Sequence, residues 1–197
     1  MDQAAVLGKL DEWMPGVSAD EDFVIRNMAE IIGVAIGVKT VAMDLFTPSE
    51  LERVDLREFR KMLHGLGVHV VFERRALGGN DPMNFAQYYF LGLSHENAVA
   101  AQSLFHKIWN GEWEMNREIG GLLGYPQTAV DYFLERDEAL DSELDKARNK
   151  RNRFYIHSPE HENEEFAAYE AKIYQVINAS CPNTARMLAE DTGKRAR

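Results

Sequence analysis

The chain has 197 residues, is 45% hydrophobic and carries a formal charge of -10. A length of this order is that of one domain able to bury a sizeable core, and no apolar run approaches the roughly 20 residues that span a bilayer. The negative charge disfavours general affinity for nucleic acid or anionic membranes, and the lone Cys181 excludes an internal disulfide and a cysteine-based zinc site.

Met1-Asp2-Gln3 is not a basic segment leading into an apolar one, so a cytoplasmic protein is expected. Val6, Leu7, Leu10, Trp13 and Met14 fall at helical spacing, which predicts a short amphipathic helix over 2–13 ended by Pro15-Gly16. Ser18 and Glu21 form a capping-box pattern for a second helix, with Val24, Met28, Ile31, Ile32 and Ala35 on its apolar face and Gly37 as its stop. Residues 1–37 therefore read as a helical segment packed on a 38–197 core, the two forming one unit.

The period then changes from helical to alternating. Val41, Met43 and Leu45 mark a strand over 38–46, broken by Thr47-Pro48. Asp55 and Glu58 repeat the capping pattern ahead of a helix lined by Leu56, Phe59, Met62, Leu63 and Leu66. After Gly67 comes a second strand, with Val68, Val70 and Phe72 on one face and His69, Val71 and Glu73 on the other. Strand, helix, strand predicts parallel strands with a right-handed crossover. The turn-rich stretch RRALGGNDPMN over 74–84 leads into a third strand over 85–93. Ser94 caps a helix carrying Ala98, Ala101, Leu104, Phe105, Ile108 and Trp109 inward.

Two helices flank Gly124-Tyr125-Pro126. A short strand over 153–156 and a helix over 160–178 follow, and Cys181-Pro182 precedes a last short helix. The order β-α-β-β-α, a helical insertion and a final strand predicts an α+β fold with a ferredoxin-like split βαβ core and helices on one face of a mixed sheet.

Chemistry is less plainly written. REIGGLLGYPQTAVDYF has the outline of a DNA-reading helix-turn-helix, with Gln127 and Thr128 placed for base contacts. Between Pro126 and Asp145, however, seven acids stand against one base, Arg136, and phosphate would repel such a helix. A corner accounts for the same residues: Gly124 as a left-handed stop, Pro126 at the first helical position, and Val130, Phe133 and Leu134 inward. The basic cluster Lys146, Arg148, Lys150, Arg151 and Arg153 follows an acidic run, as cations near a helix C-terminus do; nucleic-acid binding through it ranks last.

His157, Glu160, His161 and Glu164 are the right ligand types for a divalent metal. Pro159 disfavours the helical geometry that would align the two histidines, and acids also suit a helix start. Gly78, Gly79 and Asn80 permit close backbone approach in a long loop, without the Lys-Ser/Thr of a phosphate loop. Ser94 and His95 sit at a strand end feeding a helix N-terminus, where an anion can bind. Adjacent strand residues Tyr88 and Tyr89 point to opposite faces, so one is expected outside the core. Tyr125 in the turn is a third polar aromatic. Cys181 has no basic neighbour in sequence to activate it.

LREFRKMLHGLGVHV, a strand, and then REIGGLLGYPQTAVDYF resembles a family of small archaeal and bacterial proteins of unknown function marked by a Leu-Gly-Tyr-Pro turn, here Leu123 to Pro126. Relatives of that kind carry cysteines at the start of the next helix and a His-Pro-Cys stretch later. This chain has Thr128-Ala129 and His157-Ser158-Pro159 there, so any thiol chemistry of the family is lost, and the resemblance brings no activity with it.

The expected function is non-catalytic binding of a small molecule or a protein partner, a homodimer included, through Gly78, Gly79, Asn80, Tyr88, Tyr89, Ser94, His95 and Tyr125. The alternative is a metal-dependent hydrolase using His157 and His161 with nearby Glu. No cofactor is expected beyond that divalent metal, and neither membrane nor nucleic acid is an expected partner.

Overall fold

The computed structural model describes residues 2–76, 85–111, 116–135, 164 and 167–195. Helix α1 spans Gln3–Val17, with Asp2 accepting from the Ala4 amide at its start. It passes through Pro15 rather than stopping there. A proline inside a helix frees the carbonyl four residues back, here that of Asp11, and the Asn183 side-chain amide donates to this carbonyl at 3.2 Å. Helix α2 spans Glu21–Ala35 and is capped by Asp20, which accepts from the Asp22 amide at 2.9 Å. The expected Ser18–Glu21 box is not formed; Ser18 Oγ accepts from the Asp20 amide instead. Gly37, at φ 71°, supplies the left-handed exit.

Strand β1 is Val41–Phe46. Pro48–Leu51 makes a single turn, α3, fixed by the Glu50 carboxylate accepting from Thr47 N and Thr47 Oγ1 at 2.8 and 2.9 Å. Helix α4, Leu56–Gly65, is capped by Asp55 as its sequence pattern implies. Strands β2, His69–Ala76, and β3, Phe85–Gly92, form a hairpin. Helix α5, His95–Trp109, starts at Ser94, whose Oγ accepts from the Asn97 amide. Helices α6, Asn116–Leu122, and α7, Gln127–Glu135, flank the Gly-Tyr-Pro corner, and α8, Glu170–Ser180, leads to α9, Pro182–Arg195.

The fold is α+β, with a three-stranded sheet in the order β1-β3-β2. β1 and β2 point the same way, but β3 lies between them and both of its ladders are antiparallel. The expected antiparallel-plus-parallel sheet is therefore corrected to a purely antiparallel one. β3 takes the centre because Phe85-Ala-Gln-Tyr-Tyr-Phe-Leu-Gly92 is apolar along both faces, and an inner strand covered on both sides needs that composition.

Helices cover both faces, not one. Ala42, Phe46, Val70, Tyr89 and Leu91 face the main core with α1, α2, α4, α8 and α9. Val41 and Phe90 face a smaller core with Ala101 and Phe105 of α5 and Leu122 of α6. The two helices that follow β1 and β3, α4 and α5, thus lie on opposite sides of the sheet. An aromatic chain ties the main core together: Trp13 stacks on Phe59 at 5.7 Å, Phe59 meets Phe46 edge-on at 5.3 Å, and Tyr89 is 4.9 Å from Phe46. Such pairs add about 0.5–1.5 kcal/mol each beyond the area they bury. No helix among the described residues is long and apolar enough to cross a membrane.

Candidate ligand-binding surface

The register of the hairpin sets which strand side chains share a face. Tyr88 lies opposite Glu73, and Ala86 opposite Arg75, all on the face covered by α5. Helix α5 runs back along this face and brings Gln102, His106 and Trp109, at helical spacing, over the same positions. Gln102 Nε2 donates to Glu73 Oε2 at 2.8 Å, and His106 Nε2 meets the same oxygen at 2.5 Å. Arg75 Nε sits 3.4 Å from the other oxygen. One carboxylate therefore holds an amide, an imidazole and a guanidinium.

Burial acts to raise the Glu73 pKa, but the hydrogen bonds from Gln102 and His106, with the charges of His106 and Arg75, outweigh it and hold the carboxyl below its ordinary range. A carboxylate at Nε2 fixes the imidazole with its proton on that nitrogen, so Nδ1 is the acceptor edge when the ring is neutral. The Arg75 guanidinium lies 4.0 Å from the Trp109 ring centroid, and Tyr88 meets the indole edge-on at 5.1 Å. His106 is 44% exposed while Glu73 is only 16% exposed, which leaves the donors outside and the acceptor beneath. The result is a half-open surface of two aromatic rings and oriented polar groups.

Of the eight residues expected to bind a ligand, the five that fall within the described residues do not converge. Tyr88 belongs to this surface. Tyr89 points to the opposite face and is fully buried among Phe46 and Phe59, so neither tyrosine looks out across a bare sheet, because both sides are covered. Among the described residues its hydroxyl has no hydrogen-bond partner, nor has Oδ1 of buried Asn27 on α2. Burial, with Asp44 near, pushes the phenol far above its usual range. Asp44 itself accepts from Arg26 Nε at 2.7 Å and Asn27 Nδ2 at 3.3 Å, which makes a polar seam between α2 and β1. Ser94 and His95 lie past the far end of β3, four residues from Tyr88 to Gly92, or roughly 13 Å along a strand. Ser94 caps α5, and His95 is exposed.

Tyr125 is half-buried and packs on the main core, with Lys39 Nζ 6.0 Å from its ring centroid. Burial, then the nearby charges of Glu30 and Glu170, raise its hydroxyl pKa. Gln127 bonds to Asp131 on its own helix at 2.8 Å, and Asp131 also pairs with Arg117 of α6. Pro126 stands one position before the first helical residue, its carbonyl accepting from Val130 N. Gly78, Gly79 and Asn80 fall outside the described residues, as do His157, Glu160 and His161, the basic cluster 146–153 and the strand expected over 153–156. Glu164 is exposed. Among the described residues no group of three or more His, Cys, Asp or Glu is placed to hold a metal. Buried Cys181 has its thiol pushed up to about 12 by desolvation and by Asp11, which makes it a poor nucleophile.

Sequence reading missed Glu73, Arg75, Gln102, His106 and Trp109 as a group. The signals were present in halves: alternation put Glu73 on the face away from Val70, and Gln102, His106 and Trp109 share one helical side. What joins the halves is a contact across about 30 residues, which no local pattern encodes. No protein family, curated protein or solved structure matches the chain.

Proposed function

We propose that this protein is a non-catalytic binding protein whose ligand rests on the surface formed by Tyr88, Arg75, His106 and Trp109. The observation that carries this reading is the single carboxylate, Glu73, that orients Gln102, His106 and Arg75 at the edge of an otherwise apolar face. Side chains locked by buried partners are pre-organised, so a ligand loses less conformational entropy in recruiting them. The Trp109 and Tyr88 rings supply flat apolar area, and the imidazole and guanidinium supply polar selectivity. A small molecule with a flat apolar part and a hydrogen-bonding group fits that chemistry.

A thermal-shift screen of metabolites tests the proposal. A ligand at a hundredfold excess over its Kd stabilises the native state by about 2.7 kcal/mol, which raises Tm by several degrees. At least one compound should do so, quench the emission that is lost in Trp109→Phe, and lose most of its effect in His106→Ala. A blank screen with no co-purifying small molecule or protein would sink the proposal.

A further inference from the structure

On the opposite side of β2 from Glu73, the sign of the surface inverts. On this side helix α4 and strand β2 present four Lys and Arg, namely Arg57, Arg60, Lys61 and Arg74, against one acid, Glu58, in a chain whose formal charge is -10. Arg57, Arg60, Lys61 and His64 fall at positions i, i+3, i+4 and i+7 of α4 and are all exposed, because Phe59, Met62 and Leu63 take the buried side. Arg74, also exposed, follows Phe72 by two residues and therefore shares its face of β2. The two elements meet through an aromatic ring, with the Arg60 guanidinium 5.1 Å from the Phe72 centroid. The Arg74 guanidinium lies 3.1 Å from the Phe85 centroid. Lys61 pairs loosely with Glu58 at 3.6 Å, but among the described residues Arg57, Arg60 and Arg74 form no ion pair. Three arginines without an ion pair among the described residues, two of them with the guanidinium over an aromatic ring, stand on an acidic protein.

From this we propose that the α4–β2 face docks an acidic segment of a partner protein. Guanidinium groups held over aromatic rings by cation–π attraction still present N–H edges to carboxylates, which they bind in bidentate fashion. The extent of the patch argues for a short acidic segment over nucleic acid. Ten residues of α4 span roughly 15 Å, less than two Debye lengths of about 8–10 Å each at physiological salt. A longer phosphate backbone would run off the patch onto negative surface, whereas a few Asp and Glu side chains fit within it.

The test is fluorescence anisotropy of a fluorescein-labelled Glu- and Asp-rich peptide with the full chain at low and physiological salt. Arg57→Glu/Arg60→Glu is compared with Lys172→Glu/Arg186→Glu, which makes the same change in net charge on exposed sites elsewhere. Binding that weakens with salt, falls at least tenfold in the first variant and changes little in the second is the expected result. Far-UV circular dichroism checks the fold, and Arg57→Gln/Arg60→Gln replaces the charge reversal if that variant does not fold. No binding, an equal loss in both variants, or tighter binding of a single-stranded oligonucleotide of the same charge overturns the proposal.

Discussion

At the scale of the residue, Asp11 shows how much one buried carboxylate can hold. It is fully buried, and its oxygens accept from Asn183 N at 2.7 Å, Thr184 N at 2.9 Å and Thr184 Oγ1 at 2.5 Å. Those two amides belong to the first turn of α9 and have no partner within their own helix. Asp11 therefore caps a helix that lies 172 residues away in sequence, while Asn183 returns a hydrogen bond to the carbonyl that Pro15 leaves open. Asp11→Ala should cost about 2–4 kcal/mol, since charge-assisted bonds are lost and buried donors are left orphaned. Urea denaturation gives the value. Combined with Thr184→Val the losses should fall short of additive, because both changes remove one shared bond. A loss below about 1 kcal/mol in the single variant would refute the capping role.

At the scale of the element, legibility in the sequence follows the range of the interaction. Asp55 before α4 and Ser94 before α5 were readable because a cap and its amides lie within three residues. The Ser18–Glu21 pattern misleads because Asp20, two residues nearer the helix, accepts from the Asp22 amide and sets the start of α2 itself, while Ser18 accepts only from the Asp20 amide. Strand positions were legible from alternation. The order β1-β3-β2 and the covering of both faces were not, since they depend on which helix packs where. The Gly124 corner was read from two local signals, and its φ of 80° bears out the left-handed stop.

That corner also has a long-range component the sequence did not show. A Cβ at Gly124 would lie 3.0 Å from the Val38 carbonyl oxygen and 3.1 Å from Lys39 Cα. Backbone cannot yield there as a flexible side chain would, and φ is unfavourable for any L side chain besides. Gly124→Ala should destabilise by about 1–3 kcal/mol and lift α6 and α7 from the entry to β1. Hydrogen exchange should then speed up in α7 before it does in β3. Gly121→Ala, where nothing lies within 4 Å of the added carbon, is the matched control. Equal stability of the two variants would show that the close approach does not matter.

At the scale of the whole molecule, the two sides of the sheet should fail at opposite ends of the pH range. Cys181, fully buried in the main core, has its thiol raised from 9.0 to about 12, and buried Tyr89 is raised as well. Between those values the folded chain keeps a proton that the unfolded chain releases. The stability owed to the protonated Cys181 is therefore complete below pH 9 and is lost as pH rises towards 12. The slope is about 1.4 kcal/mol per pH unit for each proton. On the other side, Glu73 has its pKa lowered from 4.5, so its contribution is present above that value and is lost as pH falls through the folded one. Acid should thus release α5 from β2 first, and alkali should open the main core. Urea midpoints measured across pH should show Cys181→Ala flattening only the alkaline limb and Glu73→Gln only the acid limb. Trp109 emission, next to Arg75 and His106, should shift on the acid side ahead of the far-UV signal. Coincident transitions for both probes at low pH would mean that the smaller core does not open separately.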